Sequence, residues 1–304
     1  MAHAAAIVLA GGKSSRMGSP KAALGWHGST LLRRVTGIVA RSVDGPVVVV
    51  SAPGQALPAL DPGVEVVADE REGRGPVQGI AAGLAAIRDR AEVAYVSATD
   101  VPLLHPAFVR RVVGALHAEV DVVLPEVGGH RQPLSAAYRV DLLGVIDELI
   151  GTDRMRPASL FERSRVLHMR EDDLLEDPTL ARLDPALASV SNLNEPGEYE
   201  RAHALPAPEI AVVLGSRRET VRAWSLGAAA ASIDPAPQAN AVATLNGNRV
   251  VRGPEFPLVA GDTIAFSAAE LDRRKQASRA DHEDLRRESA DAEQHRARHD
   301  RHHA

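Results

Sequence analysis

The chain contains no cysteine among its 304 residues. Disulfide bonds, thiolate metal sites and cysteine nucleophiles are therefore excluded. Long apolar runs are missing too, since none approaches the roughly 18 residues that a membrane-spanning helix needs. The apolar start at residues 4–10 has no basic segment before it and ends at glycines, which favours a buried strand over a signal peptide. These absences predict a cytoplasmic protein.

An excess of positive charge is also lacking. The formal net charge is -5, so the chain as a whole has no electrostatic reason to bind nucleic acid or an anionic membrane. Two common nucleotide-binding patterns are absent as well. There is no G-x-G-x-x-G, and the Gly-Lys-Ser at 12–14 is not a Walker A motif because Ile7 stands where its first glycine belongs.

What the first two hundred residues do have is an alternation of short β-branched runs with longer amphipathic stretches. This alternation predicts an α/β fold, a Rossmann-like, mostly parallel sheet with helices on both faces. Ligands of such sheets bind at the carboxyl ends of the strands. The predicted strands are 5–10, 46–50, 64–67, 93–97 and 121–124, and the predicted helices are 31–41, 77–88, 106–118 and 140–150.

The composition changes twice further along. A proline-containing linker near 205–208 precedes a segment with its own strand-like pieces, and from 271 onward charged residues and histidine replace large apolar ones. We predict a catalytic domain at 1–204, a small module at 205–270 and a solvated tail at 271–304. The histidines of that tail could alternatively bind metals adventitiously.

The strongest chemical signal follows the first strand, in the run LAGGKSSRMGSPK from Leu9 to Lys21. Glycines let backbone N–H groups approach an anion closely, while Arg16 and Lys21 supply positive charge. The run therefore predicts a cradle for a triphosphate.

A second signal is Asp100, which follows the strand at 93–97 and precedes Pro102. A carboxylate at a strand's carboxyl end suits Mg²⁺ held against phosphate oxygens. Its alternative role as a helix cap is disfavoured because the next helix is predicted to begin only at Pro106.

Three further segments carry polar side chains at predicted turns. Asp69 follows a strand and precedes a glycine-rich loop at 73–79, where it could contact a ligand or be a solvated charge. A polar turn, RQPL, occupies 131–134. Asn192 and Asn194 alternate on one face and suit ligand recognition, although Asn194 could also cap a helix.

These segments, in their order along the chain, resemble the MobA-like nucleotidyltransferases, and within them the guanylyltransferase branch. The order is the cradle, the GPxxG loop, the strand-Asp-x-Pro, the QPL turn and the N-x-N-x-P segment. The resemblance covers about residues 5–203. It implies transfer of GMP from GTP to the terminal phosphate of molybdopterin cofactor, with release of pyrophosphate. Ser51 stands where the family often has asparagine, and Pro20 where it often has aspartate.

The resemblance also implies roles for individual residues. Lys21 and Arg16 would neutralise the charge developing on pyrophosphate, and Mg²⁺ bound by Asp100 would bridge the phosphates. Asn192 and Asn194 would lie near the pterin acceptor. The implied nucleotide contacts are Leu9, Ala10, Gly11, Gly12, Lys21, Ser51, Asp69 and Asp100.

The segment at 205–270 resembles a degenerate β-grasp module of the MoaD/ThiS type, on the hairpin signal Asn246-Gly247 and the turn Gly261-Asp262. The last predicted strand is not followed by the glycine pair that a sulfur carrier needs. We therefore expect a docking role toward molybdoenzymes or cofactor-pathway proteins. Because every candidate catalytic residue precedes Pro206, truncation there is predicted to leave transfer largely intact.

Other functions remain open at this point. Within enzymes they are a cytidylyltransferase for the same cofactor and a sugar-phosphate or phospholactate nucleotidyltransferase. Outside enzymes, the chain could be a nucleotide-binding scaffold that recruits pathway proteins. Retention of both Lys21 and Asp100 favours catalysis, since a scaffold needs neither.

Overall fold

The computed structural model describes residues 3–11, 20–69, 75–214, 216–233, 243–250 and 253–266. The chain forms two compact units. Unit 1 consists of Met1–Pro208 together with Glu255–Ala260, and unit 2 of Glu209–Pro254 together with Gly261–Ala304. Of the candidate site residues, Gly12 and Arg16 lie outside the described residues.

Unit 1 alternates strands and helices along the chain. Its strands are β1 (Ala4–Leu9), β2 (Gly25–Trp26), β3 (Ser29–Thr30), β4 (Val47–Ser51), β5 (Val64–Ala68), β6 (Val93–Ala98), β7 (Val122–Val127), β8 (His130–Arg131), β9 (Ser135–Arg139) and β10 (Val166–Met169). Its helices are α1 (Leu31–Val39), α2 (Pro76–Ile87), α3 (Pro106–Gly114), α4 (Leu143–Gly151), α5 (Pro157–Phe161), α6 (Glu171–Leu175), α7 (Pro178–Leu183) and α8 (Pro196–His203).

The central sheet has the strand order β10-β7-β9-β6-β1-β4-β5, with β8 forming a hairpin with β7. Strands β6, β1, β4 and β5 run parallel to one another, as do β7 and β10. Strand β9 lies antiparallel between β6 and β7. The predicted α/β fold with a mostly parallel sheet is therefore confirmed.

Both faces of this sheet are buried at β1. Successive side chains of a strand point to opposite faces, so the two faces can be told apart by residue. On β1, Ala4, Ala6 and Val8 belong to one apolar cluster, whereas Ala5 and Ile7 belong to another. This explains why the strand is an almost continuous apolar run rather than an alternating one. Within the part of the chain that the structure describes, no helix is both long and apolar enough to cross a bilayer.

Helix α2 approaches β1 so closely that a side chain does not fit at Gly83. A Cβ added there would lie 2.5 Å from Cγ2 of Ile7. Gly144 of α4 makes a matched control, since a Cβ added there would have no heavy atom within 4 Å. We expect Gly83→Ala to lower the free energy of unfolding by about 1–3 kcal/mol. Gly144→Ala should raise it by about 0.4–1 kcal/mol.

Urea unfolding of the two variants beside the parent chain measures both values. A Gly83→Ala protein as stable as the parent would contradict the close packing of α2 on β1.

The described part of unit 2 is a small mixed sheet with one helix. Its elements are β11 (Glu209–Leu214), β12 (Arg217–Arg222), α9 (Leu226–Ile233), β13 (Ala243–Leu245), β14 (Asn248–Val250) and β15 (Thr263–Phe266). The strand order is β12-β11-β15-β13-β14. The first and last strands of the unit, β11 and β15, are parallel neighbours, while the other pairs are antiparallel.

Candidate active site

A cavity of about 670 Å³ lies at the carboxyl ends of β1, β4, β5 and β6. This is the edge at which open parallel sheets bind ligands. The rest of the cavity wall is formed by the start of α2, by β8 and the turn before β9, and by the segment before α8. The lining residues are Leu9, Ala10, Gly11, Lys21, Val50, Ser51, Ala52, Asp69, Gly75, Pro76, Gly79, Ala98, Thr99, Asp100, Arg131, Gln132, Pro133, Leu134, Ser135, Asn192 and Asn194.

The turn after β1 is held tightly against the end of β4. The backbone N–H groups of Ala10 and Gly11 both donate to the carbonyl of Val50, at 2.8 and 3.2 Å. A Cβ on Gly11 would lie 3.3 Å from the backbone nitrogen of Ala52. Gln55 braces the same turn, donating from Nε2 to the carbonyl of Ala10 at 3.0 Å. The backbone at Gly11 is thus fixed where it faces the cavity.

The end of β6 is fixed in a similar way and brings Asp100 to the cavity. The hydroxyl of Thr99 donates to the carbonyl of Leu9 at 2.9 Å, which joins the ends of the two neighbouring strands. The backbone N–H of Leu193 donates to the carbonyl of Asp100 at 2.9 Å. Helix α3 begins at Pro106 and is capped by His105, so Asp100 does not cap it.

Lys21 joins two residues that are far apart in the sequence. Its Nζ lies 2.5 Å from Oδ2 of Asp100 and 2.9 Å from Oδ1 of Asn194. Asp100 is only 9% exposed, so its charge is offset by the ammonium group rather than by bulk water. The structure therefore brings the cradle lysine, the strand-end aspartate and one asparagine of the N-x-N segment to a single point.

Asn194 is held in place by the start of α8. Glu198 accepts hydrogen bonds at Oε2 from the backbone N–H groups of Asn194, at 2.7 Å, and Glu195, at 3.1 Å. These two bonds, the one from Asn194 first, keep the pKa of Glu198 below its usual range. Asn194 itself is not the cap, because Glu195 is the residue that precedes the first helical position, Pro196.

Asp100 retains one carboxylate oxygen that suits a cation. Oδ2 pairs with Lys21, whereas Oδ1 is buried and has no hydrogen-bond partner among the described residues. Among the residues that the structure describes, no group of three or more His, Cys, Asp or Glu side chains is placed to bind a metal ion together. A single carboxylate fits Mg²⁺, which usually keeps waters and substrate phosphates as its other ligands.

The remaining candidate residues also line the cavity, at different points of its wall. Asp69 follows β5, with its N–H donating to the carbonyl of Ser51 at 2.8 Å. The hydroxyl of Ser51 lies 3.4 Å from the carbonyl of Val67, turned toward the neighbouring strand. Asn192 lies on the wall together with Asn194.

Sequence reasoning missed the residues that support the site. Gln55 carries no motif, because it acts on the carbonyl of Ala10, which only the fold brings near. Glu198 acts locally on the N–H groups of Asn194 and Glu195, and an acidic residue in the first turn of a helix is the signal that could have found it. The sequence predicts a polar turn that includes Arg131 but no functional role for that residue. The structure places Arg131 on the cavity wall, with Nε 3.2 Å from Oε1 of Glu126. The same carboxylate oxygen accepts a hydrogen bond from Nδ1 of His168 at 2.8 Å.

A mostly parallel α/β sheet, with a glycine turn, a lysine and an aspartate around the carboxyl ends of adjacent strands, is typical of enzymes that bind nucleotides. Residues 6–166 match the MobA-like NTP transferase domain, so the chain belongs to the MobA-like NTP transferase family.

Named relatives agree with this assignment. The chain is 40% identical over 164 residues to a "probable molybdenum cofactor guanylyltransferase" of Mycobacterium avium, covering 53% of this chain and 81% of that protein. A Mycobacterium tuberculosis protein of the same name is 37% identical over 169 residues, covering 54% and 82%. The fold is shared with molybdopterin-guanine dinucleotide biosynthesis protein A from Archaeoglobus fulgidus, with a TM-score of 0.53, 22% identity, and 66% and 96% coverage.

Proposed function

We propose that this enzyme transfers GMP from GTP to the terminal phosphate of molybdopterin cofactor and releases pyrophosphate. The observation that carries the proposal is the contact of Lys21 with Asp100 and Asn194 inside the cavity, in a chain whose relatives are named guanylyltransferases. An oxygen of the acceptor phosphate attacks the α-phosphorus of GTP. The bond between the α-phosphorus and its bridging oxygen breaks, and pyrophosphate leaves.

The residues around the cavity divide between the two substrates in this proposal. Leu9, Ala10 and Gly11, continuing into Gly12, present backbone groups to the nucleotide. Lys21 and Arg16 neutralise the phosphates, which are the groups on which negative charge develops. The other nucleotide contacts are Ser51, Asp69 and Asp100, and the acceptor contacts are Asn192 and Asn194.

A divalent metal is typical of this enzyme family, and we propose Mg²⁺ as the ion. Asp100 would hold it through the carboxylate oxygen that Lys21 does not use. When bound, the ion supplies Lewis-acid neutralisation of the phosphate oxygens. No general base is required, because a phosphate monoester is largely ionised near neutral pH.

GTP is expected to be preferred over CTP by at least about tenfold in kcat/KM. Gly75 and Gly79, at the start of α2, line the cavity and offer backbone groups to the edge of a base. A site that hydrogen-bonds guanine leaves polar groups unpaired with cytosine, at about 1–3 kcal/mol for each group. Because about 1.4 kcal/mol corresponds to a factor of ten, a penalty in the middle of this range, or two smaller ones, gives tenfold discrimination or more.

Pyrophosphate release, measured with each nucleotide and one molybdopterin preparation, tests this preference. Equal values for the two nucleotides, or a preference for CTP, would contradict the guanylyl assignment. Absence of pyrophosphate release with all four NTPs would contradict enzymatic transfer and favour the scaffold.

For unit 2 we propose a β-grasp-like module of the MoaD/ThiS type that docks molybdoenzymes or cofactor-pathway proteins. Support comes from its strand order, in which the first and last strands are the parallel central pair and a helix follows the first hairpin. Asn246 lies in the turn between β13 and β14, at φ 51°, as the Asn-Gly signal predicts. We also propose that the enzyme acts in the cytoplasm.

A further inference from the structure

A short segment from far along the chain is built into unit 1. Residues 255–260, which we name the strap, lie in the sequence between β14 and β15 but pack within unit 1. Val259 is 5% exposed and belongs to the same apolar cluster as residues of β1, α1 and α3. The strap lies outside residues 6–166, the part of the chain that the family shares.

The first half of the strap is seated on α1. Arg33 forms an ion pair with Glu255, and Arg41 donates from Nη1 to the carbonyl of Pro257 at 3.1 Å. Gly37 lies beneath Pro257, since a Cβ added to this glycine would be 2.8 Å from both Cγ and Cδ of the proline ring. The absence of a side chain at Gly37 is therefore what allows the strap to lie against the helix.

The second half of the strap is joined to the Asp100 loop, which we define as residues 99–105. Arg34, 3% exposed, donates to the carbonyl of Pro102 in this loop and to that of Leu258 in the strap. At the other end of the loop, Nδ1 of His105 accepts from the N–H of Ala107 at 3.1 Å. Nε2 of His105 therefore carries the hydrogen and donates to the carbonyl of Ala260 at 3.0 Å.

These contacts fix the loop on the side away from the cavity. On the cavity side, the carbonyl of Asp100 is held by the N–H of Leu193. Arg34 links the strap to the carbonyl of Pro102, and only one residue separates Pro102 from Asp100. A displacement of the strap would therefore be passed to Asp100 through Arg34 and two peptide units. A displacement of about 1 Å is enough to impair a phosphoryl-transfer site, because its catalysis rests on positioning.

We propose that the strap positions Asp100, so that binding of the divalent cation in the cavity depends on residues 255–260. Arg34 and His105 are positioning residues in this arrangement. The proposal rests on the proposed function, since it takes Asp100 as the metal ligand. It assigns a role in the nucleotidyltransferase site to a part of the chain that lies outside the residues matched by the family's domain.

The test displaces the strap without altering any residue of the cavity. In the full chain, Gly37→Ala adds one methyl group under Pro257, and Gly144→Ala adds one where nothing lies within 4 Å. Mn²⁺ is used as the probe, and its binding in the presence of GTP is titrated by electron paramagnetic resonance. Asp100→Asn identifies the fraction of bound Mn²⁺ that belongs to the cavity. All proteins are compared at a temperature where circular dichroism shows them folded.

We expect Gly37→Ala to weaken Mn²⁺ binding at this site by about threefold to tenfold, a range typical of substitutions that act on a site without contacting it. Gly144→Ala should bind Mn²⁺ as the parent does. A Gly37→Ala protein that melts earlier but binds Mn²⁺ unchanged would make the strap purely structural and overturn the proposal. Unchanged Mn²⁺ binding in Asp100→Asn would instead contradict the proposed function at its metal site.

A second variant covers the case in which Gly37→Ala does not fold. His105→Asn keeps a side-chain acceptor for the N–H of Ala107, because asparagine is a good helix cap, but removes the bond to Ala260. The same weakening of Mn²⁺ binding is expected. Parent-like affinity in this folded variant would likewise overturn the proposal.

Discussion

Replacing Asp100 with asparagine is expected to lower kcat for nucleotidyl transfer by about 10²- to 10³-fold, the size of effect seen when a group that stabilises developing charge is removed. The amide keeps the shape of the side chain but loses the charge that would hold Mg²⁺. The fold should survive, because Lys21 retains Asn194 and the carbonyl of residue 100 can still accept from Leu193.

Pyrophosphate release at saturating GTP and Mg²⁺ measures the change. Asp44→Asn is a control, since the carboxylate of Asp44 also accepts a hydrogen bond, from the N–H of Ala4 at 2.8 Å, but does not line the cavity. This control should leave kcat unchanged. Near-normal turnover of Asp100→Asn at saturating Mg²⁺ would remove Asp100 from the metal role.

Ending the chain at Pro208 is expected to lower the free energy of unfolding of unit 1 by about 3.5–9 kcal/mol. The truncation removes Val259 from the core, a loss of about 1.5–3 kcal/mol for a buried aliphatic side chain. It also leaves the buried Arg34 and His105 without strap carbonyls, at about 1–3 kcal/mol for each unsatisfied donor. The loss is a large share of the 5–15 kcal/mol typical of folded proteins.

Thermal and urea unfolding of the shortened chain check this expectation. A chain ending at Phe266 is the control, because it keeps the strap and should match the parent in unit 1. Equal stability of the chain ending at Pro208 would contradict the role of the strap in the core. The sequence-based prediction that truncation after Pro206 leaves transfer largely intact counted only the candidate catalytic residues and took no account of the strap.

Much of unit 1 could be predicted because its signals are local. Strands β1, β4 and β6 and most of β7 are buried on both faces, so each is a nearly unbroken apolar run. The edge strand β5 is partly exposed, and all five predicted strands correspond to β1, β4, β5, β6 and β7 within a few residues. Helix α3 ends at Gly114, four residues before the predicted end. The short elements β2, β3, β8 and β10 were not predicted, since runs of two to four residues carry too little periodicity.

The candidate site was predictable in part for the same reason. A residue directly after a buried strand lies at the carboxyl edge of the sheet wherever that strand is placed, so Leu9, Asp69 and Asp100 could be assigned to one edge from their position alone. The pairing of side chains across that edge could not. Lys21 reaches Asp100 over 79 positions and Asn194 over 173, and no local pattern encodes such contacts.

The sequence by itself determined the class of fold, the edge of the sheet that carries the site and the family to which the chain belongs, because each depends on patterns of neighbouring residues. The tertiary structure decided which oxygen of Asp100 pairs with Lys21, how Gln55 braces the turn after β1, and that residues 255–260 belong to unit 1. Each of these features joins residues that lie far apart in the sequence, so no local pattern of side chains reveals it.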